Sequence, residues 1–236
     1  MCDMMDPNLE NLIRKNQIVI TKKQKAYLKM KRVLDFMCAF MALIILSPIL
    51  VLVSIAIKID SPHESIIFKQ ERIGKNGKPF ILHKFRSMKQ GTPELGTNEF
   101  MNAEQYITKV GKFIRKTSID ELPQLVDCVL GHMSLVGPRP LLAREDEMHY
   151  LRNYYGIYQI QPGITGLAQI NGRDTVDGYD KIKWDREYVQ NMSFALDMRI
   201  IWRTVVKVLR CDGVVDSSDE KLKCSTSSLF EYRRPR

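Results

Sequence analysis

Hydrophobic and polar positions change their rhythm along the chain. From Phe36 to Ile57 the sequence carries no charge and is almost wholly apolar, long enough for a helix that crosses a ~30 Å hydrocarbon core. The stretch lies too far from the N-terminus, and is too long, for a signal-peptide core, so it reads as a membrane-inserted segment. Ser65–Arg72 and Lys78–Arg86 read as short strands. The Asn-Gly pair within Gly74-Lys75-Asn76-Gly77 marks a hairpin between them. Gln90–Asn98 is loop-like, and helical periodicity covers Glu104–Lys116, Glu121 to about Leu130, residues 141–155 and Tyr179–Leu209. The pattern predicts an α+β, mainly helical fold: a polar and basic segment over 1–32, the membrane segment over 33–59, a compact domain over 60–211 and a polar tail over 212–236.

Within the membrane segment, Ser47-Pro48 falls mid-run, where proline removes a helical hydrogen bond. Both flanks are basic: Lys22, Lys23, Lys25, Lys29, Lys31 and Arg32 precede it, and Lys58, Lys69, Arg72, Lys75 and Lys78 follow. Basic flanks belong on the cytoplasmic side. A re-entrant hairpin turning at Ser47-Pro48 satisfies both observations, and a kinked single span is the alternative.

The net charge of +9 points to anionic partners, namely nucleic acid, acidic headgroups or phosphorylated substrates. Five scattered cysteines without a CxxC pair, and four histidines without ligand spacing, argue against a disulfide framework or a zinc site.

Candidate chemistry gathers at Thr117-Ser118-Ile119-Asp120-Glu121-Leu122-Pro123-Gln124. Pro123 is harmless in a first helical turn, which puts Asp120 at or near the N-cap of the next helix. In the plainer reading Asp120 caps and Glu121 favours the positive helix end. A second candidate is Arg139, held between Pro138 and Pro140. A guanidinium presented so rigidly suits phosphate, although a surface loop arginine is the ordinary alternative. Arg199, Arg203 and Lys207 recur every four residues around Trp202, as in a helix lying among headgroups or a core helix with a solvated basic face. Pro162-Gly163-Ile164-Thr165-Gly166 and Asn171-Gly172-Arg173 form glycine-punctuated loops without the spacing of a P-loop or dinucleotide fingerprint. A magnesium ion prefers one or two carboxylates plus phosphate oxygens, so an Asp-Glu pair near basic side chains suits a phosphorylated substrate at a membrane surface.

Lys31-Arg32-Val33-Leu34-Asp35, Ser47-Pro48, Lys84-Phe85-Arg86-Ser87-Met88, Thr117–Gln124, Met133–Pro140, Pro162–Gly166 and the segment from Asp185 to Asp197 occur in this order. Together they resemble the bacterial sugar transferases, the monotopic phosphoglycosyl transferases, over about residues 30 to 211. The resemblance implies transfer of a sugar 1-phosphate from a UDP-sugar to undecaprenyl phosphate with release of UMP. It implies Asp120 as nucleophile, with Mg²⁺ bound nearby, and Glu121 as its assistant. Arg139 is then a phosphate-binding residue, and Lys84, Arg86 and Asp197 belong to the same active-site region. It further implies a re-entrant helix broken at Ser47 and Pro48, and a catalytic domain facing the cytoplasm at the bacterial inner membrane. The chain looks like the small form of the family, and the expected partners are membrane lipids rather than nucleic acid. A homodimer is compatible with the sequence, which leaves the oligomeric state open.

Other readings predict different outcomes. A non-enzymatic basic membrane module accounts for the charge and the apolar segment but not for the Asp-Glu pair. A single-span glycosyl transferase moving only the sugar releases UDP instead of UMP. The sugar itself is not legible; its selectivity falls to loops near 90–100 and 160–180.

Overall fold

The computed structural model describes residues 17–92, 103–172 and 178–210. Residues 93–102 of the predicted selectivity loops, Arg173 and the tail 212–236 lie outside the described residues.

A helix of 39 residues, α1 (Lys22–Asp60), opens the described chain, about 58 Å long at 1.5 Å per residue. Thr21 caps it, with Gln24 completing a capping box. It is the one helix among the described residues long and apolar enough to cross a membrane. The helical assignment runs through Ser47-Pro48 without interruption, so the expected break is not a gap between two helices. Pro48 has no N–H to offer the Ile44 carbonyl four residues back. The Ser47 hydroxyl donates to that same carbonyl at 2.7 Å and fills the lost bond.

One face of α1 packs on the domain along its whole length. Ala39, Ala42, Leu43 and Leu46 join a core cluster with Leu82, Leu125, Cys128 and Met133. Leu50, Val53 and Ile57 join another with Phe85 and Ile114. These positions recur every three or four residues, the spacing of a single helical stripe. Apolar side chains on the remaining surface, among them Met37, Phe40, Ile45, Val51, Leu52 and Ile55, stay exposed.

Strands β1 (Ile67–Ile73) and β2 (Pro79–Phe85) form the expected hairpin. Asn76 and Gly77 both adopt positive φ at its turn, the backbone that Asn-Gly favours. The short β4 (Leu141–Leu142) pairs with β1 on its other side. Helix α2 (Lys109–Lys116) is capped by Thr108 and leads to a 3₁₀ turn at Ile119–Glu121, followed by α3 (Gln124–Leu130). Pro123 thus stands at the cap position of α3, and neither Asp120 nor any other side chain caps it. The expected capping role of Asp120 is corrected for a physical reason. The proline ring excludes the carbonyl four residues back, so the preceding turn closes with three-residue bonds, Glu121 N to Ser118 O and Leu122 N to Ile119 O.

Strand β3 (Ser134–Val136) runs parallel to β5 (Gly163–Thr165). Their backbones approach closely beyond the paired residues: Gly137 N donates to Thr165 O at 2.8 Å and Gly163 N to Pro138 O at 2.9 Å. A Cβ on Gly163 would lie 2.1 Å from Gly137 N, so the glycine loop clamps the segment that carries Arg139. The remaining described helices are α4 (Asp146–Tyr154), α5 (Leu167–Gly172), α6 (Gly178–Asn191) and α7 (Phe194–Arg210). The last two replace the single helix expected from Tyr179 to Leu209. Ser193 divides them, its side chain accepting from Leu196 N at 3.4 Å. A third core cluster, with Val136, Ile157, Ile160, Ile182, Tyr188 and Ile200, lies under them.

Gly163→Ala places a methyl against backbone that no rotamer change can relieve. Overpacking of this kind costs about 1–3 kcal/mol, and chemical denaturation of the variant is expected to show at least that loss; unchanged stability would contradict the close approach.

Candidate active site

The Asp120-Glu121 turn is delivered by an unusual backbone. Ser118, not a glycine, sits in the left-handed region at φ 58°, a strained conformation that structures tolerate mainly where surrounding contacts impose it. On either side of the carboxylates, Ile119 packs with the cluster containing Leu50, Val53 and Ile57. Leu122 packs with the cluster containing Ala39, Ala42 and Leu46. The turn therefore sits over α1 at the level of Ser47-Pro48, one flank on each half of the helix.

Glu121 gathers two cations from distant parts of the chain. Lys84, on β2, bonds its Oε1 at 2.8 Å. Arg139, on the clamped loop after β3, bonds the same oxygen through Nη2 at 2.6 Å, with Nη1 3.5 Å from Oε2. Burial works against the Glu121 charge, but Arg139 and Lys84 overcome it and hold the carboxyl well below the usual carboxylate range. Glu121 is thus a fixed anion at neutral pH, unsuited to carrying protons.

Asp120 is the opposite case. Half-buried, it has no hydrogen-bond or ion-pair partner among the described residues. Burial, then the neighbouring Glu121 charge, pushes its carboxyl up to about 6, with Lys84, Arg115 and Arg139 pulling the other way. A carboxylate so placed is ionised at neutral pH, weakly satisfied, and surrounded by positive charge.

The fold joins Asp120, Glu121, Lys84 and Arg139 as the sequence suggested. Arg86 turns elsewhere: it bonds Ser65 O at 2.7 Å and Ser65 Oγ at 2.6 Å, near Glu64. Asp197, on α7, is buried in a separate network, accepting from Lys31 at 2.6 Å, Tyr27 at 2.6 Å and Tyr188 at 2.8 Å. These contacts tie α7 to the start of α1, and none reaches the Asp-Glu turn. Asp35 completes that tie, accepting from Ser134 Oγ on β3 at 2.6 Å.

Two contributors carry no distinguishing signal in the sequence. Arg115 reads there only as part of a basic helix side, yet its charge is one of those that favour the ionised form of Asp120. Asp127, fully buried, accepts from His83 N at 3.0 Å and pairs with the His83 ring at 2.8 Å. That pair fastens the outer edge of β2, and with it Lys84, to the helix following the carboxylates.

The fit to a magnesium ion rests on these same groups. No cluster of three or more His, Cys, Asp or Glu side chains occurs among the described residues. Such an ion asks for only one or two protein carboxylates when phosphate oxygens supply the rest. Asp120, unpaired, can offer one, whereas Glu121 is already engaged by two cations.

Residues 26–211 match the family described as bacterial sugar transferase, and the chain belongs to that family. Among its relatives, the uncharacterized sugar transferase EpsL of Bacillus subtilis is 44% identical over 192 residues, covering 78% of this chain and 90% of that protein. The exopolysaccharide production protein PSS of Rhizobium leguminosarum bv. phaseoli is 41% identical over 193 residues, 77% of this chain and 96% of that one. The UDP-glucose:undecaprenyl-phosphate glucose-1-phosphate transferase of Escherichia coli is 38% identical over 185 residues. That match covers 75% of this chain but only 40% of the E. coli protein, so the chain spans about two fifths of that relative's length.

Selective ¹³C labelling of aspartate carboxyls is expected to show Asp120 titrating near pH 6 in the protein alone. Lys84→Met removes a cation that favours the ionised form, so the midpoint is expected to rise. A midpoint that stays put would place Lys84 outside the field of Asp120.

Proposed function

We propose that the chain transfers a sugar 1-phosphate from a UDP-sugar to undecaprenyl phosphate and releases UMP, through a covalent intermediate on Asp120. The observation that carries this reading is the contrast within the pair: Glu121 is locked by Lys84 and Arg139, while Asp120 is ionisable and unpaired among the described residues. The activity named for the E. coli relative supports the substrate class.

In the first step an Asp120 oxygen attacks the sugar-linked phosphorus, the bond from that phosphorus to UMP breaks, and UMP departs. In the second, an oxygen of undecaprenyl phosphate attacks the same phosphorus, the bond to Asp120 breaks, and the carboxylate is regenerated. Double displacement suits one soluble and one membrane-bound substrate, which need never occupy the site together. Lys84 and Arg139 supply positive charge beside the phosphoryl group, and Glu121 keeps them in place. Mg²⁺, held by Asp120, would neutralise phosphate charge when bound.

The long apolar helix α1 fits a membrane anchor. We read it as re-entrant in the bacterial inner membrane, the continuous helix bending at Pro48, with both ends and the catalytic domain cytoplasmic. Packing along the full length of α1 supports this, because a simple span would carry the domain into the lipid. Exposed Trp202, Val205 and Leu209 on α7 support an interfacial helix. The product opens the assembly of a bacterial surface glycan.

Asp120→Asn is expected to lower UMP release by about a thousandfold or more with the fold retained; full activity would defeat the nucleophile. Because only ionised Asp120 attacks and its pKa is raised to about 6, the first-step rate without added metal is expected to fall about tenfold per pH unit below 6 and level off above 7. In a variant lacking Cys2, Cys38, Cys211 and Cys224, which keeps only the buried Cys128, cysteines introduced singly at Thr21 and Ser61 should react with an impermeant reagent from the same side of sealed vesicles. Reaction from opposite sides would establish a span.

A further inference from the structure

Three cationic side chains act on the carboxylate pair, Lys84, Arg139 and Arg115, and their existing partners, with those of Arg86 from the Lys84 motif, separate them. Lys84 and Arg139 share Glu121. Arg86 is taken by Ser65 and Glu64. Arg115 has no carboxylate partner among the described residues; its contact is Nη1 to the Met88 sulfur at 3.5 Å. A thioether is a weak acceptor, so the planar fork of donors is left almost entirely unused. The residue is partly buried and held in position. Its carbonyl accepts from Ser118 N at 3.1 Å, at the left-handed turn that swings Asp120 back towards the end of α2. The Arg115 charge is one of those felt by Asp120.

We propose that Arg115 is the residue that binds the diphosphate of the nucleotide donor, its open guanidinium fork taking phosphate oxygens beside Asp120 while Lys84 and Arg139 remain tied to Glu121. An arginine fork matches phosphate oxygens bidentately, and such charge-assisted bonds are the strong ones. Asp120 and Arg115 are the two charges of the site without an ion-pair partner among the described residues, one suited to attack phosphorus and the other to hold its oxygens. The assignment rests on the proposed nucleotide-sugar donor. The cations then divide their work, with Lys84 and Arg139 setting the electrostatics of the pair and Arg115 receiving substrate.

UDP serves as the probe, since it carries the diphosphate without depending on which sugar is native. With the full chain in detergent and Mg²⁺ present, Arg115→Gln is expected to weaken UDP binding about 10- to 100-fold. Arg115→Lys should recover part of the loss. Lys112→Gln, one turn earlier on the exposed side of α2, removes the same charge and should change affinity less than threefold. In turnover, Arg115→Gln should raise the KM for the UDP-sugar and leave that for undecaprenyl phosphate in place. Arg115→Met keeps the stem against Met88 and guards against a folding defect; it should show the same loss with an unchanged melting temperature. Unaltered UDP affinity in the Gln and Met variants, or an equal loss in Lys112→Gln, overturns the assignment. Wild-type protein that neither binds UDP nor releases UMP overturns the donor reading, and this inference with it.

Discussion

A single carboxylate oxygen, Glu121 Oε1, holds the architecture of the site together. It accepts from Lys84 at 2.8 Å and Arg139 at 2.6 Å, and so joins a hairpin strand, a 3₁₀ turn and a loop on the parallel strand pair. Burying an anion is costly unless it is paired and hydrogen-bonded. Here the same two bonds that meet this cost also fix two cations near Asp120. The supporting contacts follow from that convergence. Asp127 pins the β2 edge through His83, and Gly137 with Gly163 lets the two backbones approach closely enough to hold the Arg139 loop. The rigidity of Arg139 therefore comes from backbone pairing across β3 and β5 as much as from its two prolines.

Adjacent in sequence, Asp120 and Glu121 carry opposite burdens because their surroundings differ. The cations bond Glu121 and only influence Asp120 from a distance, so one carboxyl is pushed down and the other up. Two like residues acquire separate roles from their partners rather than from chemistry of their own.

Much of this is legible in the chain. Periodicity locates the apolar segment, Asn-Gly locates the hairpin turn, and the ordered motifs single out Asp120, Glu121, Lys84 and Arg139. What escapes depends on contacts between distant segments or on backbone geometry that residue types do not announce. The left-handed Ser118, and the reach of the Arg115 charge to Asp120, are of this kind. The buried Lys31 and Tyr188, with the partly buried Tyr27, draw Asp197 into a structural network. Ser193 splits the last helical stretch in two, a capping signal hidden inside continuous periodicity. Pro123 does mark a helix boundary, but its effect falls on the preceding turn, which tightens to 3₁₀ instead of joining the helix.

The Ser47 hydroxyl has a consequence for the anchoring helix. In hydrocarbon an unpaired carbonyl has no water to turn to and costs several kcal/mol. By donating to Ile44 O, Ser47 makes a proline in mid-helix tolerable where solvent cannot repair it. With Ile119 and Leu122 resting on the two halves of α1, the depth of the carboxylate pair relative to the lipid is set by the anchor itself. In the proposed reaction, the height at which lipid phosphate meets Asp120 then follows from the packing of this turn on α1.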